Sequence, residues 1–254
     1  MARRRLLITR PADQAAGFAA DAEAAGFETV LAPMLHIHPI AGAGLQADLA
    51  AAQAVLITSS AAIPFLADAT GDRDLPVLTV GDATAKAASA VGFGQVESAG
   101  KDGAALAELV RRRLKPERGP LVHVAGAARG FELARPLGEA GFDVRVQVAY
   151  EAAAATEIPA EARHHLATNG IDDAAFFSRR TAETFVSLLP LAGLEACAGN
   201  VRAACLSRNV AAGLGGAVWR DILIAARPTA AALLDILAAS RSGAAPDNGA
   251  GRAE

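Results

Sequence analysis

The stretch Leu75–Val110, LPVLTVGDATAKAASAVGFGQVESAGKDGAALAELV, contains two successive copies of one pattern, a short strand-like run followed by a helix-forming segment. Val77–Val80 and Val96–Ser98 are the predicted strands, and an alanine-rich segment follows each of them. Gly92 stands where a helix C-terminus favours glycine. Because this alternation with short connections is typical of parallel sheets covered by helices, the stretch predicts an α/β fold.

The same alternation continues through the rest of the chain. Further predicted strands are brief and mostly apolar on both faces, as expected in a parallel sheet that is covered on both sides. They are Leu6–Thr9, Thr29–Ala32, Ala54–Thr58, Leu121–Val124, Asp143–Tyr150, Ala174–Phe177, Arg202–Leu206 and Ile222–Ala225.

An internal repeat relates the two halves of the chain. Residues 5–34 resemble 120–149, residues 54–68 resemble 174–188, and residues 75–110 resemble 201–237. The offset of roughly 120 residues is too long for a solenoid period. The repeat predicts two similar α/β domains with a cleft between them, and ligands of such folds bind beyond the carboxyl ends of the strands.

Two extended stretches fit less well as buried parallel strands. They are Pro33–Ile40 and Val146–Thr156, which end matching parts of the repeat. We interpret them as the crossing points between the domains, paired as a two-stranded connector.

Composition and charge limit the classes of partner. The chain has 254 residues and is 52% hydrophobic, which is enough for a full hydrophobic core. Its formal net charge of −3 disfavours nucleic acid as a binding partner. Cys197 and Cys205 form no CxxC pair, so no disulfide framework is predicted. The sequence has no apolar run of about 20 residues and no signal-peptide pattern, which predicts a cytoplasmic protein without a membrane span. The small, polar segment 240–254 is predicted to be disordered.

Three strand-to-helix turns are candidate anion sites. Small hydroxyls at such turns are ordinary N-caps, but helix N-termini also offer free N–H donors and a partial positive charge. Both interpretations stay open for each turn, and the recurrence in both halves favours a shared anion site. The residues are Thr58, Ser59 and Ser60; Gly81, Asp82 and Thr84; and Ser178 and Thr181.

The sequence gives less support for a nucleotide site or a metal site than for an anion site. There is no GxxxxGK[ST] motif, Gly213–Gly216 follows a predicted helix, and Val124–Gly130 lacks the GxGxxG spacing. His36 and His38 lie two apart on an extended stretch without a third ligand, so no metal site is predicted. Tyr150 is the only tyrosine. It is either a packed interface residue or a hydrogen-bond donor and proton source.

Taken in order, these segments resemble the uroporphyrinogen-III synthase family over nearly the whole chain. The matching motifs are LLITRP with GFETVLAPMLHIHP, LITSSAAIPFL, VLTVGDATAKAASAVGF, VAYEAAAA, FFSRRTAETF and IAARPTAAALLDIL. The resemblance implies two flavodoxin-like α/β domains with parallel sheets, joined by a two-stranded connector and interleaved in sequence. One domain would comprise residues 1–36 and 153–240, the other 40–149, with linkers 37–39 and 150–152 and a tail at 241–254.

The reaction that the resemblance implies needs no cofactor and no metal. Hydroxymethylbilane, a linear tetrapyrrole, loses its hydroxyl as water, and ring closure through a spiro intermediate inverts ring D. The implied enzyme is a cytoplasmic, monomeric lyase of tetrapyrrole and heme biosynthesis that binds neither nucleic acid nor membrane. The alternative is a two-domain binding or sensor protein that holds an anionic ligand without turning it over.

The resemblance also implies the site residues. The implied catalytic residues are Tyr150, which matches the tyrosine proposed to assist hydroxyl departure, and Thr84, which matches the threonine of the Gly-x-x-Thr-Ala turn. The remaining implied substrate contacts come from turn hydroxyls, backbone N–H groups and arginines: Arg10, Thr58, Ser59, Ser60, Ala61, Gly81, Asp82, Arg129, Ser178, Arg179, Arg180 and Arg208.

The chain departs from the family pattern in the second half. Ser207 stands where the matching turn has glycine, and Val210 where it has threonine. We expect one hydroxyl contact to the substrate to be lost there, with Arg208 or Asn209 as replacements.

Overall fold

The computed structural model of the protein describes residues 3–40, 44–128 and 132–239. The chain divides into two units. Unit 1 combines the residues up to His36 with those from Ala154 onward, and unit 2 comprises Ile37–Ala153. The predicted tail at 241–254 lies outside the described residues.

Unit 1 is built on a five-stranded parallel sheet in the order β2-β1-β9-β10-β11. Counted along the chain within the unit, this is the flavodoxin-like order 2-1-3-4-5. The strands are β1 Arg4–Ile8, β2 Phe27–Leu31, β9 Asp173–Phe176, β10 Arg202–Cys205 and β11 Asp221–Ile224. The helices are α1 Ala12–Ala24, α7 Ala160–Ala167, α8 Arg179–Leu191, α9 Arg208–Ala212 and α10 Ala230–Ala239.

Both faces of this sheet are buried, because successive side chains of each strand point to opposite sides. Leu6 and Ile8 pack with residues of α1 and α10, whereas Leu7 and Phe176 pack with residues of α7, α8 and α9. The unit therefore has three layers, helix–sheet–helix.

Unit 2 contains most of a six-stranded sheet in the order β3-β8-β7-β4-β5-β6. The five strands from β8 to β6 are parallel. Two apolar clusters cover the two faces. The strands are β3 Leu35–Pro39, β4 Ala54–Ile57, β5 Val77–Thr79, β6 Val96–Ser98, β7 Leu121–Gly126 and β8 Val144–Ala154. The helices are α2 Leu45–Ala51, α3 Ile63–Ala69, α4 Asp82–Ala90, α5 Gly103–Arg113 and α6 Ala134–Gly138.

The internal repeat explains the order of both sheets. Strands β7 and β8 are the repeat counterparts of β1 and β2, and β4, β5 and β6 are those of β9, β10 and β11. With that correspondence the five parallel strands of each sheet have the same order, although each unit takes two of them from one repeat and three from the other. Strand β3 is an additional strand beside β8 in the second sheet. The predicted α/β class with two parallel-dominated sheets is confirmed.

Strands β3 and β8 contain the points at which the chain passes from one unit to the other, and they are neighbours in the second sheet. Residues 37–39 and 150–152, the linkers that the family resemblance implies, lie within these strands. Glycines before β2, β6 and β8 have positive φ, which fits the predicted helix C-caps: Gly26, Gly92 and Gly141.

Candidate functional site

The candidate site of unit 1 lies at the carboxyl ends of β1, β9 and β10. The strand order reverses between β1 and β9, which is where ligands bind in open α/β sheets. The Thr9 hydroxyl joins these two strand ends, donating to the carbonyl of Ala175 at 2.8 Å. Arg10 follows β1, and its guanidinium lies over the ring of Phe177, which follows β9.

Ser178 caps the first turn of α8 through a capping box. Its hydroxyl accepts the Thr181 N–H at 3.1 Å, and its own N–H donates to the Thr181 hydroxyl at 3.4 Å. In the described structure no acceptor is recorded for the N–H group of Arg179, which stands at the first helical position. The predicted serine therefore orders the turn, and the amide after it can bind an anion.

Arg179, Arg180 and Arg208, at the starts of α8 and α9, are exposed, whereas Arg10 is half-buried. Arg179 forms an ion pair with Glu183 at 2.7 Å, one helical turn further on. Arg208 lies at the start of α9 and has no ion-pair partner among the described residues. Ser207 precedes it and accepts the N–H of Val210 at 3.4 Å. Ser207, which stands where the matching turn of the first half has Gly81, thus occupies one N–H donor of this turn.

In unit 2 the turn after β4 is capped in a similar way. The Ser59 hydroxyl accepts the N–H of Ala61 at 3.3 Å, and Ala62 donates to the Ser59 carbonyl at 3.1 Å. Thr58 and Ser60 are half-buried beside it. The Ala61 N–H, one of the predicted carboxylate donors, is therefore already engaged within the turn.

The turn after β5 lacks such a cap. Gly81 is the N-cap residue of α4 and provides no side chain, while its carbonyl accepts the N–H groups of Thr84 and Ala85 at 3.0 and 3.1 Å. Within the described residues the N–H groups of Asp82 and Ala83 have no recorded acceptor. Asp82 and Ala83 are exposed, whereas Thr84 is buried, so the backbone amides of the first two residues are the more accessible donors of this turn.

Tyr150 lies in β8 next to the carboxyl end of β7. It is 7% exposed, and its ring stacks on Phe65 of α3 with centroids 5.5 Å apart. The Ala127 N–H donates to the Tyr150 carbonyl at 2.8 Å. Phe65 and Gly126 also adjoin this tyrosine. No local sequence pattern marks them, because their contact with Tyr150 depends on the register of β7 and β8.

The predicted residues form two groups, one in each unit. Arg129, which was also predicted, lies outside the described residues. The unit 1 group is Arg10, Ser178, Arg179, Arg180 and Arg208; the unit 2 group is Thr58, Ser59, Ser60, Ala61, Gly81, Asp82, Thr84 and Tyr150.

Cys205 ends β10 close to the first group but is chemically inert there. Its side chain is fully buried, and this burial raises the pKa of the thiol to about 12, so the nucleophilic thiolate is not formed near neutral pH. In the described ranges no three His, Cys, Asp or Glu side chains are grouped so that they can hold a metal ion. None of the described helices is long and apolar enough to span a membrane.

Comparison with known proteins gives a family match over most of the chain. The HEM4 family model, described as uroporphyrinogen-III synthase HemD, matches residues 16–235. A search of curated proteins finds no significant match.

Two solved structures share the fold. The first is uroporphyrinogen-III synthetase from Helicobacter pylori, with a TM-score of 0.60 and 16% identity, over 94% of this chain and 100% of that chain. The second is a mutant uroporphyrinogen III synthase from the extreme thermophile Thermus thermophilus, with a TM-score of 0.54 and 18% identity, over 94% of this chain and 99% of that chain. At these identities the likeness establishes the α/β fold alone.

Proposed function

The chain belongs to the uroporphyrinogen-III synthase family, and we propose that the turns at the carboxyl ends of its two sheets bind the substrate. The family match over residues 16–235 is the observation that carries the function. The protein is a cyclising lyase of tetrapyrrole biosynthesis that converts hydroxymethylbilane into uroporphyrinogen III, with loss of water and inversion of ring D.

The chemistry of the substrate favours donors of the kind found at these turns. Acetate and propionate groups on every pyrrole spread negative charge along the chain of rings. Backbone N–H groups at helix N-termini bind carboxylates without requiring a basic protein, which is consistent with a net charge of −3. The uncapped first turn of α4, with the N–H groups of Asp82 and Ala83 lacking recorded acceptors in the described structure, supports this proposal most directly.

Tyr150 is the proposed acid of the reaction. A phenol O–H beside the bound substrate donates its proton to the departing hydroxyl, which then leaves as water. Assistance of this kind accelerates such a step by about 10²–10⁴-fold. Holding the two ends of the bilane together contributes further, since orientation alone lowers a barrier by several kcal/mol.

Conversion of synthetic hydroxymethylbilane tests the function. The products are oxidised to porphyrins and the type I and type III isomers are separated, with heat-denatured protein as the control. We expect type III product at a rate above the spontaneous closure. Type I product alone, formed at the uncatalysed rate, would overturn the synthase function and leave the binding or sensor protein as the alternative.

We further propose that the enzyme acts as a cytoplasmic monomer without nucleic acid. The negative net charge and the two free cysteines support this assignment. Light scattering coupled to size exclusion tests it, and a mass of twice 25.7 kDa would contradict the monomer.

A further inference from the structure

The register of β7 and β8 shifts by one residue beside Tyr150. Ala125 pairs with Val148, but Gly126 pairs with Tyr150, so Ala149 is an additional residue in β8. A regular strand would place Ala149 and Tyr150 on opposite faces of the sheet. Because of the bulge, both side chains belong to one apolar cluster on one face.

Gly126 leaves the space that the tyrosine ring occupies. A Cβ atom at this position would lie 2.8 Å from Cε2, 2.9 Å from Cζ and 3.2 Å from the hydroxyl oxygen of Tyr150. The first two distances are shorter than a carbon–carbon contact allows. The φ angle of Gly126 is not in the left-handed region, so the tyrosine, and not the backbone conformation, is what requires glycine here.

Phe65 supports the same ring through a second contact. The two rings are nearly parallel, with an interplanar angle of 9° and centroids 5.5 Å apart. Phe65 lies on α3, which closely follows the turn that contains Ser59. The bulge, Gly126 and Phe65 together fix the ring at the carboxyl end of β7, next to the candidate anion turn of β4.

We propose that Gly126 and Phe65 are positioning residues for the cyclisation, which act by holding the phenol of Tyr150 in its catalytic orientation. This inference rests on the proposed role of Tyr150 as the acid. A ring displaced by about 1 Å is expected to lose much of its rate contribution while the carboxylate contacts that bind the substrate remain. The signature is therefore a loss in kcat with little change in KM.

The test compares Gly126→Ala, Tyr150→Phe, the double variant and the matched control Gly138→Ala. A Cβ atom at Gly138 meets no atom within 4 Å, so the control adds the same methyl group without a clash. We expect Gly126→Ala and Tyr150→Phe each to lower kcat at least about 10-fold with KM changed less than about threefold. The double variant should lose no more than the worse single variant, and Gly138→Ala should match the parent.

An independent readout follows from Tyr150 being the only tyrosine. The ultraviolet titration of the phenol reports this residue alone, and its curve should move in Gly126→Ala and stay unchanged in Gly138→Ala. If Gly126→Ala does not fold, Phe65→Leu is used instead, with the same expected loss in kcat and the same movement of the titration curve.

The outcomes distinguish the role of Tyr150 as the acid from the positioning role of Gly126 and Phe65. Unchanged kcat in Tyr150→Phe would overturn the role of the tyrosine. If Tyr150→Phe is slow but Gly126→Ala and Phe65→Leu turn over like the parent, the positioning role is wrong. Losses that multiply in the double variant would also overturn it, since the glycine would then act independently of the phenol.

Discussion

The guanidinium of Arg10 lies 4.5 Å from the centroid of the Phe177 ring. Phe177 is itself held by an edge-to-face contact with Phe18 of α1, with ring centroids 4.8 Å apart. A residue that follows β1 is therefore stacked on the residue after β9, at the point where the strand order reverses. A planar cation fixed in this way can present its N–H groups to a carboxylate with little loss of side-chain entropy.

We expect Arg10→Ala to raise KM about 10-fold and Arg10→Lys about threefold, because lysine keeps the charge but loses the stacked, planar donor set. Steady-state kinetics with hydroxymethylbilane measure both. Arg3→Ala is the control, since Arg3 is exposed and precedes the opposite end of β1. An Arg10→Ala variant with the KM of the parent would remove Arg10 from the binding site.

Replacing Asp82 with proline removes one amide donor from the first turn of α4. Proline is well tolerated at the first helical position, and Gly81 before it is already extended, with φ −139° and ψ 158°. Relative to Asp82→Ala, the proline variant should raise KM about 10-fold, since a hydrogen bond to a charged group contributes roughly 1.5–3 kcal/mol. Equal KM values for the two variants would argue against an amide cradle at this turn.

Thr84→Ala should be less damaging than Asp82→Pro. The Thr84 side chain is buried, with 7% of it exposed. We therefore expect its hydroxyl to contribute less to binding than the backbone amides of the exposed residues Asp82 and Ala83. A change in kcat/KM of less than about threefold is expected. If Thr84→Ala is the slower variant, the hydroxyl and not the backbone is the principal contact.

The two cysteines should differ in reactivity. Cys205 is fully buried, with a thiol pKa raised to about 12 by that burial, whereas Cys197 is partly exposed. A thiol reagent at neutral pH should modify one cysteine per native chain and two per denatured chain. Peptide mapping that finds the native label on Cys205 would contradict the burial of β10.

Lowering the pH should change the contributions of Asp48 and Asp173 to folding stability in opposite directions. Hydrogen bonds from Arg145 and Gln147 lower the pKa of Asp48 below its usual 3.8, so its contribution to stability is present above that value and is lost as pH falls through the lowered pKa. Burial raises the pKa of Asp173. Its contribution is therefore largest at low pH and falls as pH rises from the usual value to the raised one.

Chemical unfolding between about pH 2 and 7 measures this difference. The stability lost on acidification should be smaller in Asp48→Asn than in the parent. In Asp173→Asn the same loss should be larger, because the group that opposes it has been removed. The reverse order would show that the Arg4 and Arg202 contacts of Asp173 outweigh its desolvation.

The sequence predicted the elements and turns better than the contacts between them. Short apolar runs, helix-forming segments and glycines such as Gly92 act locally, so strands and capping turns could be placed from them. The side chain of Tyr150 could not be placed, because regular alternation in Asp143–Tyr150 puts it on the face opposite Ala149. The bulge that reverses this depends on the pairing of β7 with β8, which no local pattern encodes.

The residue pattern alone also could not predict that the two domains are interleaved in sequence. The repeat predicted two similar domains, but strands 6–8 and 173–175 pair across most of the chain, and nothing near either strand indicates that choice. The family resemblance supplied it. The same difference between local and long-range contacts applies to the site residues. The capping role of Ser178 could be predicted from its position before a helix. The contact of Arg10 with Phe177 could not, because it depends on the pairing of β1 with β9.

The exchange of strands between the repeats has a consequence for synthesis on the ribosome. Strand β1 occupies an interior position in its sheet, but its partner β9 begins only at Asp173. At a synthesis rate of roughly 5–20 residues per second, about ten to thirty seconds pass between the synthesis of β1 and that of β9. Unit 2 is complete before then. The nascent strand β1, with the apolar run Leu6–Ile8, is thus a foreseeable client for chaperones, and pauses in translation before residue 173 would prolong its exposure.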